Sequence, residues 1–379
     1  MKIGLLGMGT VGGGVRELAE RLPDVKIARI LERVPTRPEM TNHIEDILRD
    51  DSISLIVETM GGLHPAYEFA VQSLESGRHF VTANKLLVSA YGRELQALAR
   101  RRGVGFLFGA ACGGGIPYLS NLAAAREGDH ILRVGGILNG TTNYMLDAMQ
   151  TRGLDYAAAL REAQALGYAE QDPTSDVEGL DTLRKLILAV AVGMRRWLRE
   201  GDIPVHGISG VLPQDIAWAR EHGFALRLCA FGAEQGEQIS ACVEPAMCPL
   251  ASSEASVTGN LNQAWYEGAG CGTLRFGGQG AGRYPTAANV LRDVLALREG
   301  ARYMLPDDCP DAGVRLMDAQ RYYLRLPSAC RCPSGRGRAA TRANTAWRRR
   351  GLCRHRRYTR WRVRIKTCFL HGFKRSKKC

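Results

Sequence analysis

The 379-residue chain has no run of eighteen or more apolar residues, which removes a membrane-spanning helix from its expected elements. Its first residues, Met1 to Gly7, lack the long apolar segment and cleavage site of a signal peptide, so the cytosol is the expected compartment. The cysteines at 112, 229, 242, 248, 271 and 309 show no Cys-x-x-Cys pairing and no zinc-ligand spacing. They read as reduced, mostly buried thiols. Acidic residues are missing altogether from Pro327 to Cys379, where 18 Lys and Arg stand. The first 326 residues carry 33 basic and 38 acidic groups, a net of −5, although the whole chain is +13. A mildly acidic soluble body thus bears a basic end. With 45% hydrophobic residues the body is rich enough in apolar side chains to build a real core.

What is present begins at the N-terminus. The apolar run Lys2–Leu6 leads into Gly7-Met8-Gly9-Thr10-Val11-Gly12, a complete G-x-G-x-x-G between an expected strand and an expected helix over Val15–Leu22. Gly7 permits the tight turn, Gly9 lets the backbone approach a pyrophosphate, and Gly12 lets helix and strand pack closely. Helix N-terminal amides then face the phosphates. The next strand, Val25–Leu31, ends at Glu32 and Arg33. A carboxylate there bonds a ribose 2′-hydroxyl and favours NAD, whereas an arginine pairs with a 2′-phosphate and favours NADP. Both cofactors stay open, with Arg33 and NADP preferred.

Alternation continues through a helix over Ile44–Leu48, a strand over Ile53–Glu58, a helix over His64–Ser76 and a strand over His79–Thr82. A helix over Gly92–Arg102 and a strand over Val104–Phe108 complete the series. This order predicts a Rossmann-type, doubly wound parallel sheet over residues 1–120. Ligands on such sheets lie beyond the carboxyl ends of the strands, here Gly7–Gly12, Thr59–Gly62 and Ala83–Lys85. Lys85 therefore points toward the nicotinamide region.

A glycine-rich crossing at Ala110–Pro117 leads to a second, α/β domain over 121–300. Its alternations at 225–232, 239–247 and 271–276 predict a mixed sheet, with a helix near Pro213–His222. A second glycine loop, Gly277–Gly282, is expected to close over a nucleotide. The helix behind it, over Thr286–Glu299, returns to the first domain.

Polar residues are dense from Ile137 to Lys185 while apolar periodicity continues on both sides, which reads as a cleft lined from several elements. After Pro173 one helix is expected, capped by Thr174, Ser175 or Asp176. Val177, Leu180, Leu183, Ile187 and Val190 give it an inward face. Asp181 and Lys185 lie four apart on another face. They form either an ordinary surface pair or a lysine held charged and aimed at a developing alkoxide.

Several separate blocks resemble the homoserine dehydrogenases, over residues 1–300 in unbroken order. They are Asn139-Gly140-Thr141-Thr142-Asn143-Tyr144, Gly167-Tyr168-Ala169-Glu170 with Asp172-Pro173, and Asp176-Val177-Glu178-Gly179 with Asp181 and Lys185. Thr82-Ala83-Asn84-Lys85 and Gly280-Ala281-Gly282 through Pro285-Thr286-Ala287 also match. The resemblance implies reversible NAD(P)H-dependent reduction of L-aspartate 4-semialdehyde to L-homoserine, on the route to threonine and methionine. It assigns proton donation to Lys185 with help from Lys85 and Asp181. It places the substrate ammonium on Glu170 and Asp181, and the pocket wall on Thr142 and Tyr144. It gives the cofactor to Gly7, Gly9, Thr10, Val11, Gly12, Arg33, Thr59, Lys85 and Gly280, and it implies a homodimer, with 121–300 as the substrate and dimerisation domain. Family members carry Glu-Ala-x-Val before the crossing, where a carboxylate and carbonyls hold sodium. Here Gly109-Ala110-Ala111-Cys112 stand there, leaving the carbonyls of Cys112, Gly114 and Ile116 as a weakened ligand set, because a hard cation has lost its carboxylate.

Many members append an ACT domain whose first strand resembles Tyr322–Leu326. Residues 301–326 thus read as a linker and that strand. The pattern then ends in a basic tail over 327–379, expected to be largely disordered. Three origins remain open: an out-of-frame ACT domain, a basic arm for RNA or another polyanion, and a cysteine-based metal module. The second keeps a rival class alive, a nucleic-acid-binding protein on a catalytically silent dehydrogenase fold.

Overall fold

The computed structural model describes residues 1–315, together with short strands at 322–324 and 364–367. Six strands form the first sheet: β1 (Lys2–Leu6), β2 (Lys26–Leu31), β3 (Met40–Thr41), β4 (Ile53–Glu58), β5 (His79–Thr82) and β6 (Phe106–Leu107). Their order is β3-β2-β1-β4-β5-β6 and every pairing is parallel. Ile3, Leu5 and Leu6 of β1 and Leu55, Ile56 and Val57 of β4 are fully buried. Continuous rather than alternating burial is what a parallel sheet covered on both faces requires. The flanking helices are α1 (Thr10–Ala19), α2 (Ile44–Leu48), α3 (Ala66–Glu75) and α4 (Lys85–Arg102).

The second sheet takes β7 (Ile131–Ile137), β8 (Phe224–Gln235), β9 (Gln238–Pro249), β10 (Leu261–Gly268) and β11 (Gly272–Gln279). These pair antiparallel in the order β11-β10-β7-β8-β9. β12 (Val314–Arg315), β13 (Tyr322–Leu324) and β14 (Arg364–Thr367) extend it. β12 and β14 each pair with β9 in parallel, which makes the sheet mixed. Its helices are α5 (Tyr118–Gly128), α6 (Gly140–Arg152), α7 (Tyr156–Ala165), α8 (Thr174–Val177), α9 (Leu180–Met194) and α10 (Pro213–Glu221). The last helix, α11 (Arg283–Arg298), packs on α1: a Cβ at Gly14 would lie 2.7 Å from the Arg283 carbonyl oxygen and 3.0 Å from the Ala287 Cβ. The protein is thus α/β, a Rossmann-type parallel sheet joined to a mixed sheet.

Several boundaries differ from the sequence expectation. Helix α1 begins at Thr10 rather than Val15 and α4 at Lys85 rather than Gly92. Both begin where backbone capping allows, before apolar periodicity becomes visible. The side chain of Asn84 caps α4, its Oδ1 accepting from the Leu87 amide at 3.1 Å. The second glycine loop is shorter than expected, since Gly277 and Gly278 belong to β11 and pair with Gln263 and Asn262. Strands β7 and β10 and helix α6 carry too few periodic residues to have been read beforehand.

The main correction concerns the single helix expected after Pro173. It is two helices, α8 and α9, broken at Gly179, whose φ of +83° suits glycine. The Val177 carbonyl leaves the helical ladder and accepts from the Ile208 amide at 2.7 Å. Gly179, not Thr174, Ser175 or Asp176, caps the second piece. The expected tail lies outside the described residues apart from Arg364–Thr367, as do residues 325 and 326 of the expected ACT-like strand.

Candidate active site

The break at Gly179 sets the site. Asp181 falls in the first turn of α9, where the helix dipole favours a carboxylate. Asp176, on α8, comes to the same place from the other side. The amide nitrogen of Asn139 donates to both carboxylates, to Asp176 Oδ1 at 2.7 Å and to Asp181 Oδ2 at 2.9 Å. Asn139 also caps α6, its Oδ1 accepting from the Thr142 amide at 2.8 Å and the Thr142 hydroxyl at 2.9 Å.

Two lysines from opposite ends of the fold meet on this carboxylate. Lys185, one turn along α9, donates to Asp181 Oδ2 at 2.7 Å and to the Leu138 carbonyl at 2.6 Å. Lys85, the first residue of α4, lies 3.0 Å from Asp181 Oδ1. A cation at a helix N-terminus is opposed by the dipole, so Lys85 depends on its acid partner. Asp181 and Lys185 are buried, and Lys85 is partly exposed.

The charges bias one another. Burial alone would raise the Asp181 pKa, but Lys185, Lys85 and the Asn139 hydrogen bond hold its carboxyl well below the usual range. The Asp181 charge in turn raises Lys85, against burial. Asp176 moves the other way: burial, then the neighbouring Asp181 charge, push it up despite Asn139. The two neighbouring carboxyls are thus pushed in opposite directions. Cys112, whose Sγ lies 3.9 Å from the Lys185 carbonyl, has its thiol pushed by burial to about 12 and is no nucleophile.

The first sheet supplies a dinucleotide cradle beside this cluster. Gly7 turns at φ +89°. A Cβ on Gly12 would sit 2.0 Å from the Gly7 carbonyl oxygen, and one on Gly9 would meet nothing within 4 Å. Gly9 caps α1 without a side-chain bond, so the amides of Thr10 and Val11 are unshielded by a cap. The Thr59 hydroxyl donates to the Leu6 and Gly7 carbonyls at 3.1 and 2.9 Å and locks the two strand ends together. Arg33 is exposed. Its neighbour Glu32 is engaged, accepting from the Met8 amide at 2.7 Å. Gly280 lies against the crossing, for a Cβ on Gly114 would be 2.5 Å from its carbonyl carbon.

Other expected site residues are placed less directly. Thr142 is buried and serves the Asn139 cap. The Tyr144 hydroxyl donates to Glu162 at 2.7 Å and accepts from Arg152 at 3.1 Å, which ties it to α7. Glu170 is exposed, and its side chain makes no hydrogen bond or ion pair among the described residues. Its segment is nonetheless fastened to the site, because the Thr141 hydroxyl donates to the Tyr168 carbonyl. Of the proposed sodium ligands, the Gly114 and Ile116 carbonyls accept from the side chain of Asn289 at 2.7 and 3.2 Å.

Sequence reasoning gave Asp176 only a capping role and missed Glu58 as a site residue. Glu58 is fully buried and accepts from the amides of Met60 (2.7 Å) and Gly61 (3.1 Å) and from the Thr82 hydroxyl (2.5 Å). Burial raises its pKa, against those bonds. It shapes the strand ends next to Lys85, and its place at the carboxyl end of a central parallel strand was the available signal.

A glycine-turn dinucleotide cradle beside a buried lysine–carboxylate–lysine cluster defines an NAD(P)-dependent oxidoreductase of small molecules. Comparison with known proteins gives the family. Residues 7–109 match the profile described as homoserine dehydrogenase, NAD binding domain, and residues 117–295 match that described as homoserine dehydrogenase. The homoserine dehydrogenase of Bacillus subtilis is 34% identical over 319 residues, 80% of this chain and 74% of that protein. That of Synechocystis is 38% identical over 314 residues, 78% and 72% of the two chains. A homoserine dehydrogenase crystal structure from Thiobacillus denitrificans superposes with a TM-score of 0.81 at 33% identity, covering 86% of this chain and 82% of its own. The chain belongs to the homoserine dehydrogenase family. The rival nucleic-acid reading finds no support in these comparisons.

Proposed function

We propose that the chain catalyses reversible reduction of L-aspartate 4-semialdehyde to L-homoserine, preferring NADPH through Arg33, as a cytoplasmic homodimer. The observation that carries the chemistry is the single carboxylate, Asp181, that holds two lysine amines at 3.0 and 2.7 Å. The bound nicotinamide supplies the hydride. Residues 1–120 with α11 cradle the cofactor through Gly7, Gly9, Thr10, Val11, Gly12, Thr59 and Gly280. Lys185 hands its proton to the aldehyde oxygen as negative charge develops there. Lys85 offers a second positive charge to that oxygen. Asp181 keeps both lysines aimed while the substrate enters.

The substrate ammonium requires carboxylates on the open side of the cluster. Asp176 is half-buried beside the buried Asp181, and Glu170 joins from the segment that Thr141 fastens through Tyr168. Thr142 and Tyr144 shape the wall by fixing Asn139 and α7. Oxidation of NADPH followed with aspartate semialdehyde, then with NADH in its place, tests the reading. Turnover with NADPH exceeding that with NADH is expected. No turnover of this aldehyde, alongside turnover of another amino-acid aldehyde, would reject the substrate.

A further inference from the structure

The carbonyl oxygens of Gly109, Gly114 and Ile116 point at one atom, the side-chain nitrogen of Asn289, at 3.2, 2.7 and 3.2 Å. Asn289 is fully buried in α11. Two amide hydrogens among three acceptors make a shared set of bonds, and the nitrogen fills the space among the oxygens. The Asn289 Oδ1 accepts from Arg292 at 2.7 Å. A guanidinium on that oxygen polarises the amide and strengthens its N–H groups as donors.

A hard cation among these carbonyls needs room, and it binds less well without an anionic ligand. Position 109 cannot supply the anion. Its amide donates to Asp293 Oδ2 at 2.6 Å, and a Cβ there would stand 2.7 Å from Asp293 Oδ1. Cation entry would also displace the Asn289 side-chain nitrogen and leave its buried N–H groups without those acceptors. The donor set therefore does not fit sodium.

We propose that the Asn289 amide takes the place of the monovalent cation implied at this crossing, so that neither folding nor turnover of this chain depends on sodium. The polarised amide cross-links the glycine crossing to α11 and fixes Gly114 against Gly280 beside the cofactor cradle. The stability readout is independent of the substrate assignment, so failure of one does not mimic failure of the other.

The test compares melting temperature, initial rate and the ²³Na line width in sodium chloride and in tetramethylammonium chloride at equal ionic strength. For the wild type, the same melting temperature and rate in both salts and no line broadening are expected. Asn289→Ala empties the cage. In tetramethylammonium it should melt lower by about 3–6 °C, and sodium alone should restore part of the loss. If that variant does not fold, Asn289→Ser serves in its place. Sodium-dependent melting or line broadening in the wild type overturns the proposal. So does an Asn289 variant that melts like the wild type without sodium, or one whose loss sodium does not reduce.

Discussion

Lys185 is buried between a carboxylate and a backbone carbonyl, so its ammonium has two acceptors and a third direction to offer an oxygen. Replacing it with alanine should lower kcat by about 10²–10⁴-fold, the usual span for a positioned proton donor. Cofactor affinity by fluorescence titration should change less than about twofold, because the cradle is built from other residues. Asp181→Asn leaves two ammonium groups facing a neutral amide. Loss of one partner from a buried pair costs about 3 kcal/mol, and chemical denaturation should register that fall at neutral pH. The pH window follows from the sign of the shift. The folded pKa of Asp181 is depressed, so its contribution is present above about pH 4, the unfolded value, and is lost as pH falls toward the folded value. The variant should lose this acid dependence. Asp293 has the opposite sign, for burial raises it to about 7. Its contribution is full below about pH 4 and declines as pH rises through about 7. Asp293→Asn should flatten melting temperature over that upper window.

At the level of elements, the interruption at Gly179 matters more than either helix. It lets Asp176 and Asp181, separated by five positions, face one Asn139 amide. Gly179→Ala must adopt φ near +83° and place its Cβ 3.1 Å from Val205 Cγ1. Backbone strain alone is worth about 1–2 kcal/mol. The variant should melt lower, and it should lose more in kcat than in cofactor affinity, since the displaced element carries Asp181 and Lys185 and not the cradle. Sequence periodicity ran straight through this point: Val177 and Leu180 have the correct spacing for a continuous helix. What breaks it is a tertiary bond, the Ile208 amide taking the Val177 carbonyl. Helix α4 shows the reverse case, where the Asn84 cap and Lys85 stood in plain view in the sequence but helix-forming periodicity became clear only downstream.

Across the molecule, α11 returns to α1 through Arg283 and Tyr284, which both meet Glu17. The cofactor unit is therefore assembled from both ends of the described body. Every residue of the Asp181 cluster lies before residue 186, and the family-profile match ends at residue 295. Deleting residues 327–379 should therefore leave kcat within about twofold by the NADPH assay, on the principle that residues remote from the machinery contribute little to it. A loss proportional to a fall in melting temperature would instead assign the basic segment to the stability of β9, with which Arg364–Thr367 pairs.

By itself the sequence determined the parallel first sheet, because strands buried on both faces must be written as continuous apolar runs. It also determined the glycine turn, because glycine suits the positive φ at Gly7 and leaves room at Gly12 for the Gly7 carbonyl, and the identity of the lysines and acids. Only the tertiary structure decided that Lys85 and Lys185 share one carboxylate, that Asn139 joins two acids, and that Glu170 stays at the surface. Those outcomes depend on where two sheets meet, and contacts between residues about a hundred positions apart leave no periodic trace in either partner.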